Sequence, residues 1–152
     1  MTGGPPYVRW DPPGIAPSRE RPVRPRDPAP PLRGHSAVTE PARLAHVSAD
    51  LTGVGSGALR DSALLSGLLI AAAGAAGLNA VGAPIVRSAP SGGISAVLLL
   101  DPCHVSIHSL PERGLALVDV LARNAADAQK ALDVFVRRLT PTDVTSDTRM
   151  RG

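Results

Sequence analysis

Two kinds of hydrophobic pattern predict a sheet in the part of the chain that begins near residue 46. Polar and apolar residues alternate from His46 to Leu51 and again from His104 to His108, as in strands with one buried face. Two apolar runs of strand length lie at 94–100 and 115–121. Glycines at 53–57, a turn-rich stretch at 87–93 and a Pro-Glu-Arg-Gly turn at 111–114 separate these four predicted strands.

Two further segments have the signals of helices. Asp61 is a suitable N-cap for a helix over 62–76, and Gly77 is a suitable stop. Asn124 is a suitable cap for a second helix over 125–139. Its apolar residues follow helical spacing, at positions Ala128, Ala131, Leu132, Phe135, Val136 and Leu139.

The order of these elements is strand, helix, three strands, helix. Short connections between the last three strands predict an antiparallel meander, and the fold class is therefore α+β. We expect a two-layer sandwich with an antiparallel sheet of about four strands and two helices on one face. Because its core is thin, such a unit gains by covering a sheet edge or face with a second copy, which predicts a dimer.

Proline defines the N-terminal part of the chain. Eleven of the 16 prolines lie in residues 1–41, where they prevent helices and central strands. We predict a disordered tail rich in proline and arginine over 1–42, followed by a folded domain at 43–140 and a flexible C-terminal tail at 141–152. The first tail is either a docking segment for a polyproline-recognising partner or a solvated extension, and we favour the extension.

Composition removes several classes of function. The net charge is +3, and aromatic residues make up 2% of the chain, so a protein that stacks nucleic-acid bases on aromatic rings is disfavoured. A single cysteine, Cys103, excludes a disulfide framework and a multi-cysteine zinc site. A lone thiol and the lack of a signal-peptide pattern after Met1 predict a cytoplasmic location.

The segment from 63 to 86 has a second interpretation. Only Ser66 and Asn79 are clearly polar within it, and about 20 apolar residues are enough to span a bilayer. Four glycines, Asn79 and Pro84 interrupt the run, however, and alanine outnumbers leucine. We therefore predict a buried, alanine-rich helix followed by a strand, and no membrane association.

The densest group of reactive side chains lies at 103–108, where Cys103, His104, Ser106 and His108 occur together. A metal shared by the two histidines is disfavoured, because residues four apart on a strand are separated by about 13 Å. Cys103 could be a nucleophile with a histidine as base, or it could attack the carbonyl that precedes it. From composition alone, a small buried cysteine with partly solvated histidines is also a sufficient explanation.

Three segments resemble the core of prokaryotic S-adenosylmethionine decarboxylase proenzymes. They are Gly-Ile-Ser-Ala-Val-Leu-Leu-Leu at 93–100, Cys-His-Val-Ser-Ile-His-Ser-Leu-Pro-Glu at 103–112 and Leu-Val-Asp-Val at 117–120. His-Val-Ser-Ala-Asp-Leu-Thr-Gly at 46–53 is similar to the opening strand of that family. The resemblance covers about 43–139 and implies an α+β sandwich that dimerises, in agreement with the pattern-based prediction.

The resemblance also implies an activity and a self-made cofactor. In this family a serine attacks the preceding carbonyl, the chain is cut by β-elimination, and the new terminus becomes a pyruvoyl group. That ketone accepts electrons while carbon dioxide leaves, as PLP does in other enzymes. The implied function is decarboxylation of S-adenosylmethionine, or of a smaller amino acid, for spermidine and other polyamine biosynthesis.

The residue positions of the family transfer to this chain as follows. Cys103 stands at the serine that becomes the pyruvoyl group, so cleavage is expected between Pro102 and Cys103. A thiol can make the same acyl shift. His108 matches the family histidine that moves protons during processing, and Ser95 matches the family serine on the neighbouring strand. Glu112 matches the family's turn and is expected to line the pocket and bind substrate.

Other positions depart from the family pattern. Arg123 stands at the catalytic cysteine; arginine does not give up its proton in this range, but it could bind a substrate carboxylate. Ala89 replaces an aromatic residue that stacks on adenine, and Leu110 replaces a tryptophan. An alternative function is therefore an inactive paralogue that acts as a regulatory or interaction subunit.

Overall fold

The computed structural model describes residues 43–152, which form a six-stranded antiparallel sheet. The strands are β1 Leu44–Thr52, β2 Ile85–Ser88, β3 Ile94–Leu99, β4 His104–Leu110, β5 Leu115–Ala122 and β6 Asp143–Arg151. Their order across the sheet is β2-β3-β4-β5-β1-β6. Strands β3, β4 and β5 follow one another as the predicted meander, and β1 pairs with β5 to complete the four central strands.

Three α-helices accompany the sheet, namely α1 Ser56–Arg60, α2 Ser62–Ala75 and α3 Ala125–Leu139. The side chain of Asp61 accepts a hydrogen bond from the Leu64 amide at 2.9 Å, and that of Asn124 accepts one from the Asp127 amide at 2.9 Å. Both predicted N-caps are thus confirmed. Gly77 has a φ of +64° just after α2, a conformation that glycine adopts without steric cost.

Helices α2 and α3 pack against each other and against one face of the sheet. Alternate strand residues on that face are buried, for example Val105 and Ile107 of β4, and they meet the fully buried ring of Phe135 from α3 in one core. The opposite face, called the open face below, carries the other strand residues. His104, Ser106 and His108 lie there, as the alternation predicted.

One buried hydroxyl connects α1 to the sheet. The Ser109 Oγ atom accepts a hydrogen bond from the Ile94 amide at 2.8 Å and donates one to the Leu59 carbonyl at 2.7 Å. Ser109 is 4% exposed, so both partners would be unsatisfied without it. This bridge fixes the short helix α1 next to strands β3 and β4.

The sheet is wider than the sequence predicts. Strand β2 adds one edge, and β6 replaces the C-terminal tail that we expected to be flexible. Every residue of β6 is exposed, so hydrophobic pattern gives no signal for it. It is held by backbone pairing with β1 along its whole length, a long-range contact that local sequence does not show. The glycine loop after β1 also contains the unpredicted helix α1.

The α+β class with an antiparallel sheet is confirmed, whereas the dimer stays a prediction. The predicted tail at 1–42 lies outside the described residues. Helix α2 has 14 residues, and within residues 43–152 no helix is long and apolar enough to cross a membrane.

Candidate active site

Strand β4 carries reactive side chains near both of its ends. Cys103 directly precedes the strand, and His108 lies five residues further along. At about 3.3 Å per residue, this separates their Cα atoms by about 17 Å. We call the two places the thiol end and the histidine end of the sheet.

At the histidine end, Ser95 and His108 form a pair across neighbouring strands. The register places Ser95 of β3 opposite His108 of β4, and the Ser95 Oγ and His108 Nδ1 atoms are hydrogen-bonded at 2.9 Å. Both side chains are exposed on the open face. The structure therefore brings together two of the residues that the sequence placed in processing chemistry.

The two residues predicted to bind substrate, Glu112 and Ala89, belong to the same end of the sheet. Glu112 is in a short 3₁₀ helix after β4, and its carboxylate is bound by the Arg60 guanidinium. Arg60 also donates to the Ser91 carbonyl at 3.1 Å, in the turn that follows Ala89. Sequence reasoning missed Arg60, because 52 residues separate it from Glu112 and nothing local marks the contact.

At the thiol end, Cys103 is buried with 5% of its surface exposed and belongs to the core cluster. Its side chain points away from the open face, on which the neighbouring His104 lies. Burial raises the pKa of the Cys103 thiol; the Arg123 charge acts in the opposite direction, and the Asp101 charge raises this pKa further. The turn before Cys103 holds a cis peptide bond between Asp101 and Pro102.

Arg123 is held in place next to the thiol end. Its Nη2 atom donates to the carbonyls of Ala76 and Gly77 at 3.4 and 3.2 Å, and to the Asp127 carboxylate at 3.1 Å. The guanidinium thus joins the C-terminal end of α2 to the N-terminal end of α3, where a cation stabilises the last carbonyls of a helix. In this arrangement Arg123 bridges two helices, and binding of a substrate carboxylate stays a prediction.

A further pair on the open face was not predicted from the sequence. The His46 Nε2 atom donates to the Asp119 carboxylate at 3.2 Å, between neighbouring strands β1 and β5. The only sequence signal was that both residues are polar positions of alternating strands.

Within one copy of the chain, neither histidine of β4 is placed to act on the thiol. His104 points to the other face, and His108 is at the far end of the strand. The charges that act on Cys103 belong to Arg123 and Asp101. One copy therefore holds two separate halves of the predicted site.

Comparison with known proteins agrees with the fold. The family model described as S-adenosylmethionine decarboxylase matches residues 45–152. A relative named S-adenosylmethionine decarboxylase proenzyme, from Brevibacillus brevis, is 33% identical over 108 residues, which is 70% of this chain and 80% of the relative. Another, named arginine decarboxylase proenzyme, from Hyperthermus butylicus, is 36% identical over 98 residues, covering 63% of this chain and 69% of the relative.

A solved structure gives the same result. The crystal structure of the adenosylmethionine decarboxylase from Aquifex aeolicus superposes with a TM-score of 0.68 and 30% sequence identity, over 73% of this chain and 92% of that one. The family match spans all six strands and the helices between them, apart from the first residue of β1. On this evidence, the chain belongs to the S-adenosylmethionine decarboxylase family.

Proposed function

We propose that this chain is the proenzyme of a pyruvoyl-dependent decarboxylase, which matures by cutting itself between Pro102 and Cys103. The observation that carries the proposal is the hydrogen bond of 2.9 Å between Ser95 and His108, since both residues stand at the family's processing positions. Relatives named as decarboxylase proenzymes support the same activity.

We also propose that the working enzyme is a homodimer. The thiol end and the histidine end are about 17 Å apart along β4, so one copy cannot bring them together without unfolding the strand. A second copy that runs in the opposite direction on the open face would place its histidine end against the first copy's thiol end. Exposed apolar residues of that face, including Leu99 at 51% and Ile85 at 49%, favour such a contact.

The cleavage follows from the chemistry of a thiol next to a carbonyl. The Cys103 Sγ atom attacks the Pro102 carbonyl carbon, the C–N bond breaks, and a thioester with a free amine forms. Loss of the Cys103 Cα proton then breaks the Cβ–Sγ bond, which leaves a thiocarboxylate on Pro102 and dehydroalanine at 103. Water converts the dehydroalanine to a pyruvoyl group and releases ammonia.

The thiol at position 103 and its neighbours are compatible with this chemistry. Burial raises the pKa of the thiol, but a cysteine remains far more acidic than the serine that the family carries there. Once formed, the pyruvoyl ketone supplies an electron sink for decarboxylation. Pro102 would remain on the N-terminal fragment, and Arg123 would keep the end of α2 against α3 beside the new terminus.

The substrate is a small molecule that carries a carboxylate. S-adenosylmethionine is the first compound to test, because most of the named relatives act on it, and its product would enter polyamine synthesis. A smaller amino acid is the second choice. Phe135 is the one Phe, Tyr or Trp residue in 43–152 and is fully buried, and Ala89 has no ring, so adenine stacking on a phenyl or indole ring has no support in this part of the chain.

A second candidate function is an inactive paralogue that binds an active relative. The buried thiol and the Arg123 guanidinium, which is engaged by Ala76, Gly77 and Asp127, favour this alternative. Such a protein would keep the sheet and its open face but would remain uncut.

Mass spectrometry under denaturing conditions tests the proposal. Self-cleavage predicts two fragments, residues 1–102 and residues 103–152, the second with a pyruvoyl terminus that an amine or hydrazine reagent labels. Cys103→Ala is the uncut control, and Cys103→Ser tests whether the surroundings accept the family's own nucleophile. An intact chain of 15.6 kDa after long incubation, for both wild type and Cys103→Ser, would refute self-cleavage and support the paralogue. Release of carbon dioxide from S-adenosylmethionine and from arginine then identifies the substrate.

A further inference from the structure

The histidine end of the open face carries a third polar side chain with no role in the processing chemistry above. Arg87 of β2 lies opposite Ser95 of β3, and Ser95 lies opposite His108 of β4. Directly opposed residues of an antiparallel sheet point to the same face, with Cβ atoms about 5 Å apart. The three side chains therefore form a row across three strands.

A cavity lies over this row. Its volume is about 160 Å³, and its walls are formed by Ile85, Arg87, Ser95, Ala96, Val97 and His108. Pockets for whole ligands usually measure about 300–1,000 Å³, so this space accepts one small group of a ligand. Because the remaining walls are apolar, the polar contacts to that group would come from Arg87, Ser95 and His108.

The Arg87 guanidinium uses few of its N–H donors within residues 43–152. One hydrogen bond goes to the carbonyl of its neighbour Val86 at 2.9 Å. Within residues 43–152, no acidic side chain forms a salt bridge with Arg87. Glu112, at the same end of the sheet, is already bound by Arg60. A planar guanidinium with free N–H groups is the side chain that best binds a carboxylate through two parallel hydrogen bonds.

We propose that Arg87 binds a carboxylate group of the substrate beside the Ser95–His108 pair. The inference rests on the proposed decarboxylase function, whose substrates all carry a carboxylate, and on the proposed homodimer, in which position 103 of a second copy would lie against this end of the sheet. The group is either the α-carboxylate, common to every amino-acid substrate, or a carboxylate on the substrate's side chain. An α-carboxylate loses its charge as carbon dioxide leaves, so Arg87 would hold the ground state at least as strongly as the transition state. Arg87 would then lower KM without raising kcat.

Steady-state kinetics with Arg87→Gln, Arg87→Lys and the control Arg113→Gln test the inference, with S-adenosylmethionine, arginine and glutamate as substrates. Arg113 is exposed near the same end. Binding of the α-carboxylate predicts that Arg87→Gln raises KM about tenfold for each compound that is turned over, with kcat not reduced. Binding of a side-chain carboxylate predicts this increase for glutamate alone. Arg87→Lys is expected to raise KM less than Arg87→Gln does.

The amine products separate a binding role from a structural one, because they have lost the α-carboxylate. An α-carboxylate contact predicts that Arg87→Gln leaves their inhibition constants unchanged. The inference would be overturned if Arg87→Gln weakened the binding of the substrates and of all amine products equally, or if it left KM unchanged for every substrate.

Calorimetric titration of the same compounds into Cys103→Ala protein, with and without Arg87→Gln, does not depend on turnover. If the wild-type protein releases no carbon dioxide from any of these compounds, binding to Cys103→Ala that is lost with Arg87→Gln would refute the proposed function and keep the inference. Equal binding by both proteins, or no binding by either, would refute the inference alone.

Discussion

Arg123 allows the sharpest test of how the thiol end is built. Replacing it with methionine keeps most of the side-chain length and removes the charge. The change breaks the hydrogen bonds to Ala76 and Gly77 and the ion pair with Asp127. It also removes the positive charge that lowers the pKa of the Cys103 thiol. Two independent quantities should therefore change, namely the free energy of unfolding and the reactivity of the thiol.

The expected loss of stability follows from the contacts and their exposure. The Arg123 side chain is 53% exposed, so its ion pair contributes at the low end of the range, about 0–1 kcal/mol. The two bonds to carbonyls add about 1 kcal/mol together at this exposure. Asp127 keeps its hydrogen bond from the Asn124 side chain and a nearby Lys130 ammonium, so it is not left without partners. The total is about 1–2 kcal/mol.

The direction of the change in thiol reactivity is fixed by the sign of the charge. Burial and Asp101 both raise the pKa of Cys103, and Arg123 opposes them. Without Arg123, the pKa of the Cys103 thiol rises further, so the thiolate forms at higher pH. At any pH below this pKa, alkylation by iodoacetamide is therefore slower than in the wild type. Since Cys103 is the single cysteine of the chain, the incorporated label reports on this thiol alone.

Urea unfolding and the pH profile of alkylation measure the two effects on chains that have not been cut. Arg113→Met is the matched control, because Arg113 is exposed and makes no side-chain hydrogen bond within residues 43–152. A stability loss no larger than that of the control, together with an unchanged alkylation profile, would contradict the assignment of Arg123 as the link between α2, α3 and the thiol.

Three further predictions concern other parts of the fold. Ser109→Ala leaves a buried amide and a buried carbonyl unsatisfied, so it should reduce the free energy of unfolding by about 2–3 kcal/mol. The control Ser106→Ala, on the open face, should reduce it much less, and equal urea midpoints for the two variants would contradict the Ser109 bridge. Gly53 has a φ of +73°, and a Cβ there would collide with a threonine side chain, so Gly53→Ala should lower the melting temperature while Gly57→Ala, in open space within α1, should not. His108→Asn should keep the melting temperature and slow the appearance of the fragments 1–102 and 103–152; cleavage at the wild-type rate would exclude His108 from processing.

Much of the central fold could be predicted from local pattern. The caps Asp61 and Asn124 fix the starts of α2 and α3 because their side chains accept bonds from amides three residues away. Alternation fixes which residues of β4 face the core. Strand β6 could not be predicted, since all its residues are exposed and its stability comes from pairing with β1, about a hundred residues earlier in the chain.

Part of the candidate site could likewise be predicted from the sequence, and part could not. The family resemblance pointed to Ser95, His108 and Cys103. The pairing of β3 with β4 places Ser95 directly opposite His108. The contacts of Arg60 with Glu112 and of Arg123 with α2 join residues 46 to 52 positions apart, so no local pattern could show them.

The sequence by itself determined the class of fold, the first residues of α2 and α3 and the face of each central strand, because capping and alternation act within a few residues. The residues proposed to carry chemistry came from the family resemblance and stay a prediction. Tertiary structure alone decided that Cys103 is buried, that Arg123 is engaged by the helix ends, and that the thiol and the Ser95–His108 pair lie at opposite ends of one sheet. These last features depend on which strands pair and in which register, and that choice depends on burial and backbone pairing over the whole domain.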